Sequence, residues 1–313
     1  MNLRELQRHV KIVPTPENRN IHVLDVGNNN APAVMLVHGF AGAWKGWKDQ
    51  IDFLCQKGLR VIAPDMDGHG NTPHTPHDTI LSYVEDLEGI RNWLHVRTVH
   101  LVGHSYGGAV AQAYAIQHPE HVASLTLLSS FAQHPTFLKW AAAVGARLHR
   151  AFPGRANEER FIDEILQSGP ETTKQNGFEN IAHTPEAQNV ISRVINHIQK
   201  NWVYEDPERA QRELRGIPPA DPKALIDYFN ATANANLDEK IEANMTILHS
   251  EKDRIIPASA ARQLQRIHPQ ARLILLPGNS HVIHREKADD VNNAIFKQVF
   301  GEDPRAFWKK TGR

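Results

Sequence analysis

Short, continuous runs of apolar residues alternate along the chain with longer stretches in which apolar residues recur every three or four positions. The runs predict strands that are covered on both faces, and the recurrent spacing predicts amphipathic helices. Strands are expected at residues 34–37, 59–63, 99–102, 125–128, 245–248 and 273–276. Helices are expected at residues 44–56, 78–94, 109–117, 258–267 and 289–300. This alternation is typical of an α/β fold, a mostly parallel central sheet with flanking helices.

The alternation of strands and helices stops between residues 131 and 243. This stretch carries helical spacing and turn residues but no convincing strand, and it is too long for an ordinary loop. We therefore expect a core domain made of residues 1–130 and 244–313. Residues 131–243 are expected to form an inserted helical cap over one edge of the sheet.

Charge and cysteine content exclude several classes of protein. Among 313 residues, Lys and Arg total 35 and Asp and Glu total 35, so the net charge is zero. The chain therefore lacks the excess of positive charge that would favour nucleic-acid binding. Cys55 is the single cysteine, which excludes an internal disulfide and a thiolate metal cluster. The beginning of the chain lacks the continuous apolar run of a secretion signal, and no run approaches the roughly 20 apolar residues of a membrane span. These features predict a cytoplasmic protein without stable membrane insertion; they indicate no oligomeric state.

A serine follows the third expected strand in the pattern G-x-S-x-G. Ser105 lies between Gly103 and Gly107, after the strand at 99–102 and before the helix at 109–117. In such a tight strand–turn–helix the flanking positions must lack side chains, and the hydroxyl is held above the sheet edge at a helix N-terminus. We therefore predict that Ser105 is a nucleophile and that the N–H of the next residue, Tyr106, stabilises an oxyanion.

A serine hydroxyl needs a base to take its proton and an acid to orient that base. Asp253 follows the strand at 245–248, and His281 follows the strand at 273–276. Both lie past the carboxyl end of a strand, at the sheet edge where Ser105 is expected and where open α/β sheets bind ligands. We predict Asp253 as the triad acid and His281 as the base.

Three other residues compete less well for these roles. Glu251 is expected to point to the opposite side of the acid's loop, and His284 is expected to begin the final helix. His104 adjoins the serine, but neighbouring side chains in a tight turn diverge, which favours a packing role.

These motifs together resemble the α/β-hydrolase superfamily, in particular its cap-bearing esterase-like and C–C-hydrolase-like branch. The resemblance covers nearly the whole chain outside the cap, and it implies that the N–H of Phe40 is the second oxyanion donor. Ser250 and Ser280 stand where members often have Gly, which is expected to affect loop geometry only. The residues that carry the resemblance are His38-Gly39-Phe40, Asp65-x-x-Gly68-x-Gly70, Gly103 to Gly108, Asp253 and His281.

The resemblance implies a cofactor-free serine hydrolase that cleaves small-molecule carboxylic esters through an acyl-enzyme. The apolar cap favours small to medium hydrophobic acyl groups. A C–C bond hydrolase for meta-cleavage products, a lactonase or a thioesterase would use the same three residues. A slow-turnover ligand receptor on the same fold is an alternative of another class.

Two weaker signals leave their own alternatives. A cluster rich in histidine and aspartate could bind a divalent metal, but its glycines and prolines favour a polar surface loop without metal. Trp44 and Trp47 either line an acyl pocket or begin a helix against the sheet. The residues of the cluster are Asp65, Asp67, His69, His74, His77 and Asp78.

Overall fold

The computed structural model describes residues 1–75, 79–132 and 203–301, the last with gaps at 215–216, 219, 222, 225–226, 228–230 and 232–234. The strands of this part of the chain are β1 Val10–Pro14, β2 Asn20–Val26, β3 Ala33–Val37, β4 Arg60–Pro64, β5 Val99–His104, β6 Val122–Leu128, β7 Met245–Ser250 and β8 Arg272–Leu276. Its helices are α1 Leu3–Gln7, α2 Lys48–Gln56, α3 Ile80–Trp93, α4 Tyr106–Gln117, α5 Pro207–Leu214, α6 Ala258–Ile267, α7 Ile283–Glu286 and α8 Ala288–Phe300. Short 3₁₀ helices cover Trp44–Trp47 and Pro119–His121.

The strands form one eight-stranded sheet in the order β1-β2-β4-β3-β5-β6-β7-β8. All neighbours from β4 to β8 are parallel, whereas β1 pairs with β2 and β2 pairs with β4 in the antiparallel sense. The predicted α/β fold with a mostly parallel central sheet and flanking helices is therefore confirmed.

Both faces of the central strands are covered, which explains their continuous apolar runs. Along β3, Met35 and Val37 pack with residues of α3, α4 and α6. The alternate residues Val34 and Leu36 pack on the other face with residues of α2 and α8. Because successive side chains of a strand point to opposite faces, a strand between two helical layers must be apolar at every position.

The sequence pattern did not predict β1 and β2. They are the antiparallel edge of the sheet, where β1 has only partial cover and its Ile12 is 57% exposed. A strand with this mixed exposure lacks the continuous apolar run that identified the central strands. The helix predicted at 44–56 begins one turn later than expected, since Trp44–Trp47 is a 3₁₀ helix that leads into α2.

The predicted cap at residues 131–243 lies largely outside the described residues, and so does its boundary with the core. Among the described residues, α5 and the segment 203–206 belong to this stretch and adjoin α7. No helix in the described parts of the chain is long and apolar enough to cross a membrane.

Candidate active site

Ser105 lies at a sharp turn between β5 and α4. Its backbone has φ 52° and ψ −118°, in the region that favours glycine. Hydrogen bonds hold this turn from both sides. The Ser105 N–H donates to the Leu128 carbonyl at 2.8 Å. The Ser130 hydroxyl donates to the Ser105 carbonyl at 2.9 Å. Because the turn is fixed in this way, the serine side chain is carried at the carboxyl end of β5.

The two glycines around Ser105 permit this turn, as predicted. A Cβ atom on Gly107 would lie 2.2 Å from the His38 carbonyl oxygen, at the end of β3. A Cβ atom on Gly103 would lie 2.5 Å from the Gly107 carbonyl oxygen. Backbone atoms cannot withdraw from such contacts, so α4 can approach β3 and β5 this closely only where both side chains are missing.

The structure brings together the three residues predicted as nucleophile, acid and base. Nε2 of His281 lies 2.9 Å from Oγ of Ser105, and Nδ1 of His281 lies 2.9 Å from Oδ2 of Asp253. All three residues are buried. Since a carboxylate only accepts, Nδ1 carries the proton and Nε2 presents a lone pair to the serine hydroxyl. This geometry allows the imidazole to take a proton from Ser105.

The loop after β7 fixes the Asp253 carboxylate. Oδ1 accepts the N–H groups of Ile255 and Ile256, at 2.8 and 3.0 Å, which leaves Oδ2 for His281. A second imidazole is close by, because Nε2 of His249 lies 3.5 Å from Oδ2 and donates to the Ile256 carbonyl at 2.8 Å. Burial lowers the pKa of His249, so this ring is neutral beside the carboxylate.

The two predicted oxyanion donors belong to segments close to Ser105. A Cβ atom on Gly39 would lie 3.1 Å from the Cβ of Ser105, so the residue before Phe40 packs against the serine. The Gly42 N–H donates to the Gly39 carbonyl in a turn, with Ala41 at φ 54°. Within the described residues, no acceptor is paired with the Phe40 N–H. Tyr106 begins α4, where the helix dipole favours negative charge.

None of the three competing residues is hydrogen-bonded to the Ser105 hydroxyl, which pairs with His281 among the described residues. Glu251 is exposed in the acid's loop. His284 is buried in α7 with its ring centroid 4.5 Å from that of Trp47. His104 is more than a packing residue, because its Nε2 lies 2.9 Å from the His281 carbonyl oxygen. Trp47, like Trp44, is fully buried in the layer between α2 and the sheet, which favours the packing alternative.

The loop rich in histidine and aspartate is not a surface loop where the structure describes it; Asp65, Asp67 and His69 are buried. The prediction of a surface loop is wrong for these residues because their side chains hold neighbouring backbone. Asp65 accepts the N–H groups of Trp44 and Asn71, at 2.8 and 3.0 Å. Asp67 pairs with His74 at 2.7 Å, and His69 accepts the Ala41 N–H at 3.2 Å. His77 and Asp78 lie outside the described residues.

One group of side chains in the described residues has a spacing that could hold a metal ion, and it lies away from Ser105. Glu88, His118 and His121 each offer a ligand atom within 4.8 Å of the others. The Glu88 carboxylate already accepts from the Arg91 guanidinium at 2.6 and 2.9 Å and from the Tyr114 hydroxyl at 2.7 Å. These bonds lower the pKa of Glu88 to about 2, although burial opposes them.

Sequence reasoning missed the side chains that support these residues from behind. Ser130 binds the Ser105 carbonyl, His249 adjoins Asp253, and Ser250 donates to the Ser280 carbonyl at 2.6 Å. Each is a polar residue at the end of a buried strand. That position is a signal in the sequence for all three, and Ser250 carries a second one, because it stands where members of the family often have Gly.

Comparisons with known proteins agree with this fold. A profile described as the alpha/beta hydrolase fold matches residues 32–288. The AB hydrolase superfamily protein YfhM of Bacillus subtilis is 25% identical over 289 residues, which are 89% of this chain and 94% of that protein. The bifunctional esterase/perhydrolase DCH of Acinetobacter calcoaceticus is 25% identical over 292 residues, 90% of this chain and 97% of that protein.

A solved structure, the esterase EaEST from Exiguobacterium antarcticum, superposes with a TM-score of 0.68 at 18% identity, covering 92% of this chain and 98% of that one. At this identity the likeness concerns the fold. The profile match spans most of the chain, including β3 to β8 and the positions of Ser105, Asp253 and His281. The chain therefore belongs to the α/β-hydrolase fold family.

Proposed function

We propose that the protein is a serine hydrolase that cleaves carboxylic esters of small to medium hydrophobic acyl groups. The observation that carries the proposal is the continuous chain of hydrogen bonds from Asp253 through His281 to Ser105, with 2.9 Å at both steps. The name of the Acinetobacter relative, an esterase/perhydrolase, supports the ester as substrate class. In this proposal the substrate is a small molecule, and the stretch 131–243 is a cap over the site.

In the first half-reaction, the Ser105 oxygen attacks the ester carbonyl carbon while its proton passes to Nε2 of His281. The carbonyl oxygen becomes an oxyanion and accepts the N–H groups of Phe40 and Tyr106. Asp253 holds the imidazole in the reactive tautomer and stabilises the imidazolium. Collapse of the tetrahedral intermediate breaks the ester bond. Nε2 then returns its proton to the leaving alkoxide, which departs as an alcohol.

In the second half-reaction, water attacks the acyl-serine and loses a proton to Nε2 of His281. The second tetrahedral intermediate uses the same oxyanion donors. Its collapse breaks the bond between the acyl carbon and the Ser105 oxygen, which recovers the proton from the imidazole. A carboxylic acid leaves, and the enzyme returns to its starting state.

Hydrolysis of p-nitrophenyl acetate and butyrate tests this proposal, together with labelling by a fluorophosphonate probe. We expect turnover and stoichiometric labelling of the intact protein, and neither with Ser105→Ala. A protein that neither turns over the esters nor reacts with the probe would instead favour the ligand-receptor alternative. Rates measured with thioester, lactone and vinylogous diketone acid substrates then show which type of bond the protein cleaves fastest.

A further inference from the structure

Side chains hold the backbone on both sides of His281. Four successive backbone groups have hydrogen-bond partners: the Ser280 carbonyl, the N–H and the carbonyl of His281, and the Val282 N–H. Their partners are, in the same order, Ser250 Oγ at 2.6 Å, the Val203 carbonyl at 3.0 Å, His104 Nε2 at 2.9 Å and Ser280 Oγ at 3.1 Å. Side chains therefore supply three of the four partners.

Ser250 connects the loop of the acid to the loop of the base. It is the last residue of β7, three positions before Asp253, and both Ser250 and Ser280 are fully buried. The two serines, which occupy positions where the resemblance leads us to expect glycine, are bonded to each other through the Ser280 carbonyl. A glycine at position 250 has no hydroxyl, so it would leave this carbonyl without its donor.

His104 connects the nucleophile to the base in a similar way. It directly precedes Ser105, and its Nε2–H donates to the carbonyl of His281. Burial and the neighbouring His281 lower the pKa of His104 well below its usual range, so its ring is neutral, with one donor and one acceptor nitrogen. Its ring centroid lies 5.0 Å from that of His281 and 4.4 Å from that of His284, so the ring packs between these two imidazoles.

We propose that Ser250 and His104 are positioning residues of the active site. Ser250 fixes the backbone of His281 relative to the Asp253 loop, and His104 fixes it relative to Ser105. The inference rests on the proposed function, because it concerns how well His281 is placed to accept the Ser105 proton. It goes beyond the proposed function because it assigns a role to Ser250, which departs from the family pattern, and to His104, which was expected only to pack.

The effect should appear in the chemical step rather than in substrate binding. Neither Ser250 nor His104 is within hydrogen-bond distance of the Ser105 hydroxyl, so replacing them removes no group that takes part in the proton transfer. Loss of either bond allows the His281 backbone to shift, and proton transfer is sensitive to displacements well below 1 Å. We expect kcat to fall about tenfold for each loss, with KM changed less than about twofold.

The experiment compares Ser250→Ala, His104→Leu and His104→Gln with the intact protein. His104→Gln retains a side-chain N–H donor, whereas His104→Leu removes it. Ser124→Ala is the matched control, because Ser124 is also buried and bonds one side chain, His100, at 2.9 Å, on neighbouring strands away from the site. Measurements are kcat and KM for p-nitrophenyl butyrate, the rate of fluorophosphonate inactivation, and thermal unfolding.

The proposal requires a parallel fall of kcat and inactivation rate in Ser250→Ala and His104→Leu, substantial recovery in His104→Gln, and normal kcat in Ser124→Ala. Unchanged kcat in the first two variants, or an equal fall in Ser124→Ala, would overturn it. If Ser250→Ala does not fold, Ser250→Cys replaces it, since a thiol keeps the shape with a weaker donor and should give a smaller fall. Failure of the proposed function is distinct, because the intact protein would then show neither turnover nor labelling.

Discussion

The carboxylate of Asp253 divides its two oxygen atoms between its own loop and His281. Oδ1 accepts two backbone N–H groups, from Ile255 and Ile256, and Oδ2 accepts Nδ1–H of His281 at 2.9 Å. The backbone donors therefore determine which oxygen faces the imidazole, and that oxygen determines which nitrogen of His281 carries the proton. The orientation of the base depends on the loop as much as on the carboxylate.

Replacing Asp253 with Asn should abolish most activity through the tautomer of His281. The two backbone N–H groups retain the amide oxygen of the introduced side chain, so its amide N–H₂ faces Nδ1. Nδ1 must then accept, which moves the proton to Nε2 and removes the lone pair that would take the Ser105 proton. We expect kcat for p-nitrophenyl butyrate to fall on the order of 10⁴-fold, with the fold intact by circular dichroism.

Glu251→Gln is the matched control, because this exposed carboxylate lies in the same loop two positions away. It should retain the activity of the unaltered protein. A near-normal rate in Asp253→Asn would show that another carboxylate orients the base.

Substitutions of Ser105 should separate catalysis from backbone strain. At φ 52° and ψ −118° a non-glycine residue costs about 1–3 kcal/mol, which glycine relieves, against about 0.5–1 kcal/mol of extra entropy lost on folding. We expect both Ser105→Ala and Ser105→Gly to lose turnover, by about 10⁶-fold. Ser105→Gly should nevertheless be more stable than Ser105→Ala by about 1 kcal/mol in urea unfolding. Equal stabilities would argue against strain at the nucleophile.

Much of the fold and of the candidate site could be predicted from local pattern. Apolar runs located β3 to β8, because a strand that is buried on both faces needs apolar residues at nearly every position. Ser105, Asp253 and His281 could be identified because each follows the carboxyl end of such a strand, and the topology brings those ends to one edge. The sequence also predicted that Gly103 and Gly107 must lack side chains. The tight turn requires this, because the atoms that a Cβ would meet at both positions are backbone atoms.

The remaining features depend on contacts between distant parts of the chain. The bond between Ser250 and the Ser280 carbonyl joins residues 30 positions apart, and the bond from His104 to His281 joins residues 177 apart. Nothing in the spacing of these residues indicates which carbonyl a buried hydroxyl or imidazole will meet. The burial of Asp65 and His69 escaped prediction for the same reason, since their partners are backbone N–H groups, which any residue could supply.

Buried neutral histidines should make the protein sensitive to acid. Nε2 of His38 accepts the Met66 N–H at 2.9 Å, and Nε2 of His69 accepts the Ala41 N–H. Burial lowers the pKa of His38 to about 3 and that of His69 to about 4, from a usual 6.5. At a pH between the folded pKa of each histidine and 6.5, the unfolded chain binds more protons than the folded one. Stability is therefore present above pH 6.5 and is lost as pH falls toward 4, at about 1.4 kcal/mol per pH unit for each fully titrating histidine.

Asp65 acts in the opposite direction, because burial raises its pKa from 3.8 to about 6. The folded protein then binds the extra proton, and this contribution to stability grows as pH falls from 6 to 4. Two histidines outweigh one aspartate, so urea unfolding at pH 7.5, 6.5, 5.5 and 4.5 should show a net fall below 6.5. His69→Gln should reduce the slope of that fall. A stability that rises between pH 6.5 and 4.5 would contradict the assignment of neutral histidines.

Glu286 should link residues 203–206, which lie within the stretch predicted as the cap, to the base. Its carboxylate in α7 accepts the N–H groups of Glu205 and Asp206, at 2.9 to 3.1 Å, and the adjoining Val203 carbonyl accepts the His281 N–H at 3.0 Å. Loss of the carboxylate frees two backbone donors and loosens the chain beside His281. For Glu286→Ala we expect about 2 kcal/mol less stability and a fall in kcat of about fivefold, measured by urea unfolding and ester hydrolysis.

The controls for Glu286 distinguish its position from its charge. Glu242→Ala removes an exposed carboxylate paired with Lys240 at 2.7 Å, and it should change neither quantity by more than about 0.5 kcal/mol or twofold. Glu286→Gln keeps one uncharged acceptor oxygen in the place of Oε1, which accepts both N–H groups, so its losses should be intermediate. If Glu286→Ala loses stability but keeps full kcat, the bonds of Glu286 to residues 205 and 206 stabilise the fold without placing His281, and the contact through Val203 does not transmit their loss to the base.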